Sequence, residues 1–395
     1  MPMRAERVTL LLITSILLAI GVVMIYTSSA IYAYETYGDS AYFLKRHLVY
    51  LVIGLLSMTA TLSIPYRSLR RLAKPLLVFS VLLLLLVLAS PFGREGGGAR
   101  RWFRIGSFSF QPSEAAKLAF LIYLADFLSR KKNDLREFRE GFVPPVLVLG
   151  FMVGLVILQP DLGTAVAIVM VALLMLSLAG TRARYVGFTF ASFLPIFILY
   201  IFLKPHASRR ILAFVAPERD PLGAGFQIMQ SFVALGSGGV FGVGLGQSRQ
   251  KLFYLPACHT DFIFSIIGEE LGVVGTLSVL TLFFLFSWSA YRILKKVQDR
   301  FGRFLGFGVA SLITLEALVN MGVACGAIPT KGLPLPFVSY GGSALIFNLI
   351  GVGLLLNVSR YGMQSSSVFS SDLLEAGDVN FVPKGVRFQI KGKGA

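Results

Sequence analysis

Long apolar runs separated by short polar breaks dominate the chain from residue 8 onward, and the breaks carry most of the arginine and lysine. A helix needs roughly 20 apolar residues to cross the hydrocarbon core of a bilayer. About ten windows approach that length, near 8–28, 46–64, 74–91, 113–129, 143–159, 163–180, 185–203, 262–290, 304–325 and 343–358. A backbone amide in lipid must be bonded within its own segment, so each window is predicted to be a helix. The pattern therefore predicts an all-α polytopic membrane protein of about ten transmembrane helices. The first window follows Arg4 and Arg7 and ends at Ser28-Ser29-Ala30, as a signal peptide does. Its apolar stretch is longer than the 7 to 15 residues of a signal core, so it is expected to stay as the first helix.

Three breaks between the windows are long. Residues 92–112 are Gly-rich and basic, residues 204–261 form a long segment, and residues 326–342 are rich in Pro and Gly. The long segment contains two apolar patches, Ile211–Val215 and Phe226–Leu235, of a length that lies in the membrane interface without crossing it. Such pieces could steer a lipid-linked substrate or simply cap the bundle. No fixed-period repeat and no inverted pair of broken helices is visible, which disfavours a secondary transporter. After Arg360 the chain turns polar and Ser-rich, so residues 361–395 are expected to be a disordered cytoplasmic tail.

Composition agrees with this picture: 55% of the 395 residues are hydrophobic, 14% are charged, and mean hydropathy is +0.74. That excludes a soluble globular domain. Short loops rich in Lys and Arg stay cytoplasmic, and with the N-terminus inside, ten spans put most of the 37 cations on the inner side. The expected orientation is N-in and C-in, with a large extracytoplasmic loop, about 204–261, between the seventh and eighth helices. The net charge of +17 then needs no nucleic-acid partner. The outer cations are less ordinary: Arg94, Arg100, Arg101 and Arg104 share one loop, and Lys204, Arg209, Arg210, Arg219, Arg249 and Lys251 share another. Cations on the disfavoured side suggest an anionic ligand there.

Asp261 closes the polar run Pro256-Ala257-Cys258-His259-Thr260 immediately before an apolar segment. A carboxylate in that place could cap the helix, take a proton from a sugar hydroxyl, or bind a hard cation such as magnesium. His259 could orient Asp261 or satisfy a loop carbonyl; one His with two or three acids does not match a zinc spacing. Glu269 and Glu270 lie about two turns further on, where an ionisable group faces a wet cavity or a partner such as an outer Arg or Lys. A second constellation joins Arg100-Arg101-Trp102 to Gln111-Pro112-Ser113-Glu114 and Lys117. Pro112 and Ser113 read as a helix start, and Glu114 and Lys117 are one turn apart on one face. Lys117 could neutralise a phosphate or pair with Glu114. The third, Pro329-Thr330-Lys331-Gly332 through Ser339 to Ser343, fixes an irregular backbone whose amides could bind an anion or only stiffen a loop. Asp161, in Gln159-Pro160-Asp161, reads as a turn residue. Cys258 and Cys325 both fall near outer helix ends, where a disulfide is conceivable but two free thiols are commonplace.

Taken together, Gln111-Pro112-Ser113-Glu114, His259-Thr260-Asp261-Phe262 with Gly268-Glu269-Glu270-Leu271-Gly272, and Pro329 through Ser343 resemble the SEDS family of bacterial cell-wall polymerases. The likeness runs from about residue 8 to residue 360, and Pro329-Thr330-Lys331-Gly332 is closer to the division and sporulation branch, FtsW and its relatives, than to the elongation branch, RodA. The resemblance implies a ten-helix peptidoglycan glycosyltransferase in the cytoplasmic membrane, polymerising lipid II at the outer face and serving the division septum. It implies Asp261 as the essential acid, with Arg101 matching the family's arginine before tryptophan and Lys117 its helix-four lysine; Glu114, His259, Thr260, Lys331 and Ser339 are expected around substrate, and Glu269 and Glu270 as supporting acids. A divalent cation, magnesium or manganese, is expected, with Asp261 as a candidate metal ligand; the resemblance implies lipid II and a class B penicillin-binding transpeptidase as partners, and other division proteins are expected beside them. Division members often carry Glu where this chain has Ala257. A lipid II flippase and a division scaffold are the competing readings; in a flippase the charges should line a through-path, and in a scaffold Asp261 should be dispensable.

Overall fold

The computed structural model describes residues 2–361 except 90–92, 97–98, 106–107, 131–134, 136, 220–222 and 331. Lys331 and the tail from 362 onward, expected to bind anion and to be disordered respectively, therefore lie outside the described residues, as do Lys131 and Lys132. Each apolar window lies in its own long helix: α1 (Pro2–Tyr37), α2 (Tyr42–Ser63), α3 (Tyr66–Ala89), α4 (Pro112–Arg130), α5 (Val143–Leu158), α6 (Leu162–Leu178), α7 (Ala183–Leu203), α10 (Ile263–Lys296), α11 (Arg300–Ala324) and α12 (Gly342–Tyr361). Two shorter helices, α8 (Pro205–Val215) and α9 (Ala224–Ser237), occupy the long segment between α7 and α10. They coincide with the two apolar patches of that segment.

Among the described residues, eight helices are long and apolar enough to cross a membrane. The protein is an integral, polytopic membrane protein. The other two windows fall short for visible reasons: α4 carries Glu114, Lys117, Asp126 and Arg130, and α6 has 17 residues. Both are nonetheless interior helices, with α6 buried along most of its length. The most apolar stretch of α12 is 78% buried and that of α11 67%, against 17% for α7, so α11 and α12 form the centre and α7 the rim. α12 packs along α2, α1 along α10, α3 along α4, and α11 against α4, α6, α10 and α12.

The Gly-rich loop departs from the all-α expectation. It folds as an antiparallel sheet in the order β1 (Gly93–Gly96), β2 (Ala99–Ile105) and β3 (Phe108–Phe110), with Arg94 paired to Trp102 and Phe103 to Phe110. The sheet is anchored to the bundle: the Ser109 amide donates to the Tyr50 hydroxyl at 2.8 Å, and the Gln111 amide to Ser343 Oγ at 3.0 Å.

α10 is interrupted near its start. Gly272 has φ 67° and ψ −162°, a backbone that a side chain would strain, and a Cβ there would lie 2.4 Å from Gly242 N. The loop after α9 fills the break. The Val243 and Gly244 amides donate to the Glu269 and Glu270 carbonyls at 2.9 and 3.0 Å, while the Val273 and Val274 amides donate to the Gly239 and Val240 carbonyls at 3.0 and 3.2 Å. A broken helix at membrane depth persists only where other protein groups satisfy the freed backbone. Here the loop supplies them.

Candidate active site

Hydrogen bonds bring the connections after α3, α5, α7 and α11 together: Gln111 with Ser343 and Asp161, Thr260 and His259 with Ser339 and Tyr340, and Arg210 with Thr330. There Asp261 sits half-buried two residues before the start of α10 at Ile263, whose N-cap is Phe262. Its side chain makes no cap, and no described residue donates a hydrogen bond to it; the cap reading is thereby excluded. Its main-chain carbonyl is held by Asn320 Nδ2 of α11 at 2.9 Å, and the same amide group donates to the Leu333 carbonyl at 2.8 Å. Gly332, with φ 68°, passes close by: a Cβ there would stand 3.6 Å from Asp261 Oδ2. The loop after α11 thus lies against the acid.

The charges acting on Asp261 are Arg210 and Arg101, with Asp161 opposing. Burial raises the Asp261 carboxyl above the ordinary carboxylate range, the two arginines pull it back, and Asp161 pushes it up again. Arg210 reaches in from α8 and donates from Nη1 to the Thr330 carbonyl at 3.4 Å. Arg101, on β2, stands 4.0 Å from Asp161 Oδ1, with its Nε buried and unpartnered.

Asp161 does more than turn the chain. It caps α6, accepting from the Thr164 amide at 3.1 Å and hydroxyl at 2.9 Å, and it also accepts from Gln111 Nε2 at 3.0 Å and Ser113 Oγ at 3.5 Å. Five groups from three segments converge on one buried carboxylate, which ties β2, the start of α4 and the start of α6 together. Asp161, Arg210 and Asn320 were not among the expected site residues, and Gln111 stood in the second constellation without a role. Arg210 was visible only as one of several outer cations, and the sole sign at Asp161 was a carboxylate between Pro160 and an apolar run.

The remaining expected residues divide by what they touch. Glu114 and Lys117 pair at 2.9 Å, as their spacing implies, and Lys117 also contacts Glu316 of α11; all three side chains are 3–4% exposed. Sequence reasoning missed Glu316, an acid inside an apolar helix. Ser339 donates to the Thr260 carbonyl at 2.6 Å and accepts from the Leu335 amide at 2.9 Å, and the Tyr340 amide donates to the His259 carbonyl at 2.9 Å. Ser339 and Tyr340 therefore clamp the loop after α11 onto the segment ending at Asp261. The Thr260 hydroxyl closes a local turn onto the Ala257 carbonyl at 3.2 Å.

His259 does not orient Asp261. Its ring packs among Phe43, Tyr32 and Tyr340, at 4.6, 6.0 and 5.9 Å between centroids, and burial lowers its pKa to about 4, so it stays neutral. Glu269 accepts from the Ser248 hydroxyl and from the Arg249 and Gln250 amides at 2.9 and 3.4 Å, and Glu270 pairs with Lys251 at 3.2 Å. These acids hold the loop that plugs the α10 break, not Asp261. Cys258 and Cys325 are both free thiols.

Among the described residues no three His, Cys, Asp or Glu cluster to hold a metal, and the two carboxylates of this site, Asp261 and Asp161, lie under the charge of Arg101 and Arg210. What the arrangement offers is a half-buried base beside two fixed cations, a set suited to an acceptor hydroxyl and a phosphate leaving group.

A family model described as "Cell cycle protein" and covering FtsW, RodA and SpoVE matches residues 7–364. The "Probable peptidoglycan glycosyltransferase FtsW" of Trichlorobacter lovleyi is 45% identical over 350 residues, 89% of this chain and 92% of the relative. "Stage V sporulation protein E" of Bacillus subtilis is 43% identical over 352 residues, 89% of this chain and 96% of the relative. Among solved structures, a chain described under "Structural coordination of polymerization and crosslinking by a peptidoglycan synthase complex" aligns with a TM-score of 0.74 at 35% identity, covering 90% of this chain and 98% of its own. The Thermus thermophilus rod shape determining protein RodA aligns at 0.67 and 31%, covering 90% and 97%.

Proposed function

The chain belongs to the FtsW, RodA and SpoVE family of cell cycle proteins, and we propose that Asp261, Arg101 and Arg210 carry out its reaction at the extracytoplasmic face of the cytoplasmic membrane. The protein is a peptidoglycan glycosyltransferase. Its substrate on this reading is lipid II, a disaccharide peptide joined to undecaprenyl through a pyrophosphate on the anomeric carbon. The acceptor is the 4-hydroxyl of an N-acetylglucosamine. As the hydroxyl oxygen bonds to the anomeric carbon, Asp261 takes its proton, and the bond from that carbon to the pyrophosphate oxygen breaks with its electron pair leaving on the pyrophosphate. Attack opposite the leaving group turns an α-linked donor into a β-linked product.

Arg101 and Arg210 stabilise the charge that develops on the pyrophosphate, in a site fixed before substrate arrives. Asp161 holds Arg101 in place through the buried network around it. Lys117 is engaged by two carboxylates, so its part is to fix α4 against α11 beneath the site. The observation that carries the reading is that Arg210 bonds at 3.4 Å to the Thr330 carbonyl of the loop that passes Asp261 at Gly332, so that the acid lies under its charge and that of Arg101. A magnesium or manganese ion would come with the pyrophosphate, Asp261 giving it one oxygen.

The division septum is the proposed site of action, from the likeness to FtsW. A class B penicillin-binding transpeptidase is the proposed partner, supported by the synthase complex in which the structural neighbour was solved. The experiment is purified full-length protein with lipid II, products resolved on gels, with and without EDTA. Wild type should make glycan strands, and Asp261→Ala, folded by thermal melt, should make none. Strands at the wild-type rate from that variant would sink the assignment.

A further inference from the structure

A cluster of aromatic rings surrounds His259 and continues away from Asp261 to the end of α1. Tyr32 lies 6.0 Å from both His259 and Phe253, Phe43 lies 4.6 Å from His259, and Tyr37 stacks on Tyr42 at 3.9 Å with the planes 9° apart. Phe43 is buried, but Tyr37 is 48% exposed and Phe253 57%; Tyr34 at 63% and Tyr254 at 54% are exposed beside them in the chain.

Aromatics at the end of a membrane helix usually mark the headgroup level. The length of α1 argues for a different place. Its 36 residues span about 54 Å against a hydrocarbon core of about 30 Å. The apolar window ends near residue 28, so Tyr34 and Tyr37 stand roughly 9 and 13 Å further along the axis. This end of α1 also meets the segment before Asp261, where Tyr32 contacts Phe253 and His259. Phe253 adds an independent sign, because it keeps φ at 67° while more than half exposed. A bulky residue held in the left-handed region is strained, and such strain collects where a side chain must be presented to a ligand.

From this we propose that the outer end of α1, with Phe253 and Tyr254 beside it, is a subsite that stacks against the pyranose faces of the glycan strand. The proposal rests on the reading of the protein as a glycan polymerase. The ridge is continuous with the catalytic segment through His259, two residues from Asp261. A sugar ring has an apolar face of C–H bonds that flat aromatic rings cover well, whereas acyl chains need no flat ring. A grip on the strand away from the reacting atoms keeps the product bound between additions, which sets strand length more than the rate of bond formation.

The test compares wild type with Tyr34→Leu/Tyr37→Leu and Tyr34→Phe/Tyr37→Phe in full-length protein supplied with lipid II. The Leu pair stays apolar but loses the flat rings; the Phe pair keeps them. Mean strand length should fall about threefold or more in the Leu pair, the scale of a lost aromatic contact, while lipid II consumption falls less and the Phe pair matches wild type. A second measurement needs no variant: nitration of Tyr34 and Tyr37 in wild type, with and without a soluble β-1,4 N-acetylglucosamine tetramer, should slow in its presence. Unchanged strand length in a folded Leu pair, a parallel loss of length and consumption, or absence of protection by the tetramer overturns the subsite. No strands from wild type would instead refute the polymerase reading. Leu variants as long-stranded as wild type would return the rings to an interfacial role.

Discussion

Asp261 has two pH dependences of opposite sign. Burial raises its carboxyl, so the folded protein holds that proton more tightly than the unfolded chain does. Its contribution to stability is full below the unfolded value near 3.8 and is lost as pH rises through the raised folded value. Activity runs the other way, because a general base must be ionised. The acid limb of the pH-rate profile should lie above the ordinary aspartate range, and Asp261→Asn should cost about 10²–10⁴ in rate while melting slightly higher than wild type at neutral pH. Thermal midpoints and initial rates against pH measure both. Lys117 separates structure from chemistry differently. Removing it leaves Glu114 and Glu316 buried against each other, which should cost about 3–5 kcal/mol. Neutralising all three as Glu114→Gln, Lys117→Met and Glu316→Gln should recover most of that in a denaturant titration. At this scale the sequence reveals the residue types, because an acid, a histidine and a lysine beside apolar runs are conspicuous. It does not reveal their partners: Asp161, Arg210 and Glu316 stand far along the chain from the groups they meet, and only folding brings them together.

At the level of elements, hydrophobic spacing is a local signal and the helices built on it are legible. The sheet was also within reach, since Arg100-Arg101-Trp102-Phe103-Arg104-Ile105 is a β-prone run bounded by glycines. The interruption of α10 was not, because Gly272 looks like any helical glycine until the loop from 239 to 244 is laid against it. Glu269 and Glu270 belong to that joint. Glu269→Ala leaves the Ser248 hydroxyl and two amides without their acceptor, and Glu270→Ala leaves Lys251 buried without its carboxylate. Either change should speed hydrogen exchange at residues 243–251 by tenfold or more, roughly the equilibrium shift of one lost charged hydrogen bond. Exchange at α11 and α12 should be untouched, and polymerisation should fall less than in Asp261→Ala.

Across the whole molecule, the site segments meet through hydrogen bonds, and the excess of cations in the connections on the other side carries the proposal that this end faces outward. The two thiols test this directly. Cys325 caps α11 on the site side and is exposed, whereas Cys258 is buried, bonded to the Ser28 carbonyl at 3.3 Å, and has its pKa pushed up to about 11 by that burial. A membrane-impermeant maleimide added outside intact spheroplasts should label the protein once. Cys325→Ser should abolish the labelling and Cys258→Ser should leave it.

The reciprocal hydrogen bonds at the α10 break also decide where this protein can be cut and rejoined. Residues 239–244 and 269–274 complete each other's backbone, so neither stretch is a transplantable part without the other. A chimera with a relative joined at residue 262, the natural-looking border between loop and helix, would match two halves of a joint that never coevolved. Moving the junction past residue 274 carries the joint over as one cassette, and with it the loop, the first turns of the helix and Asp261 between them.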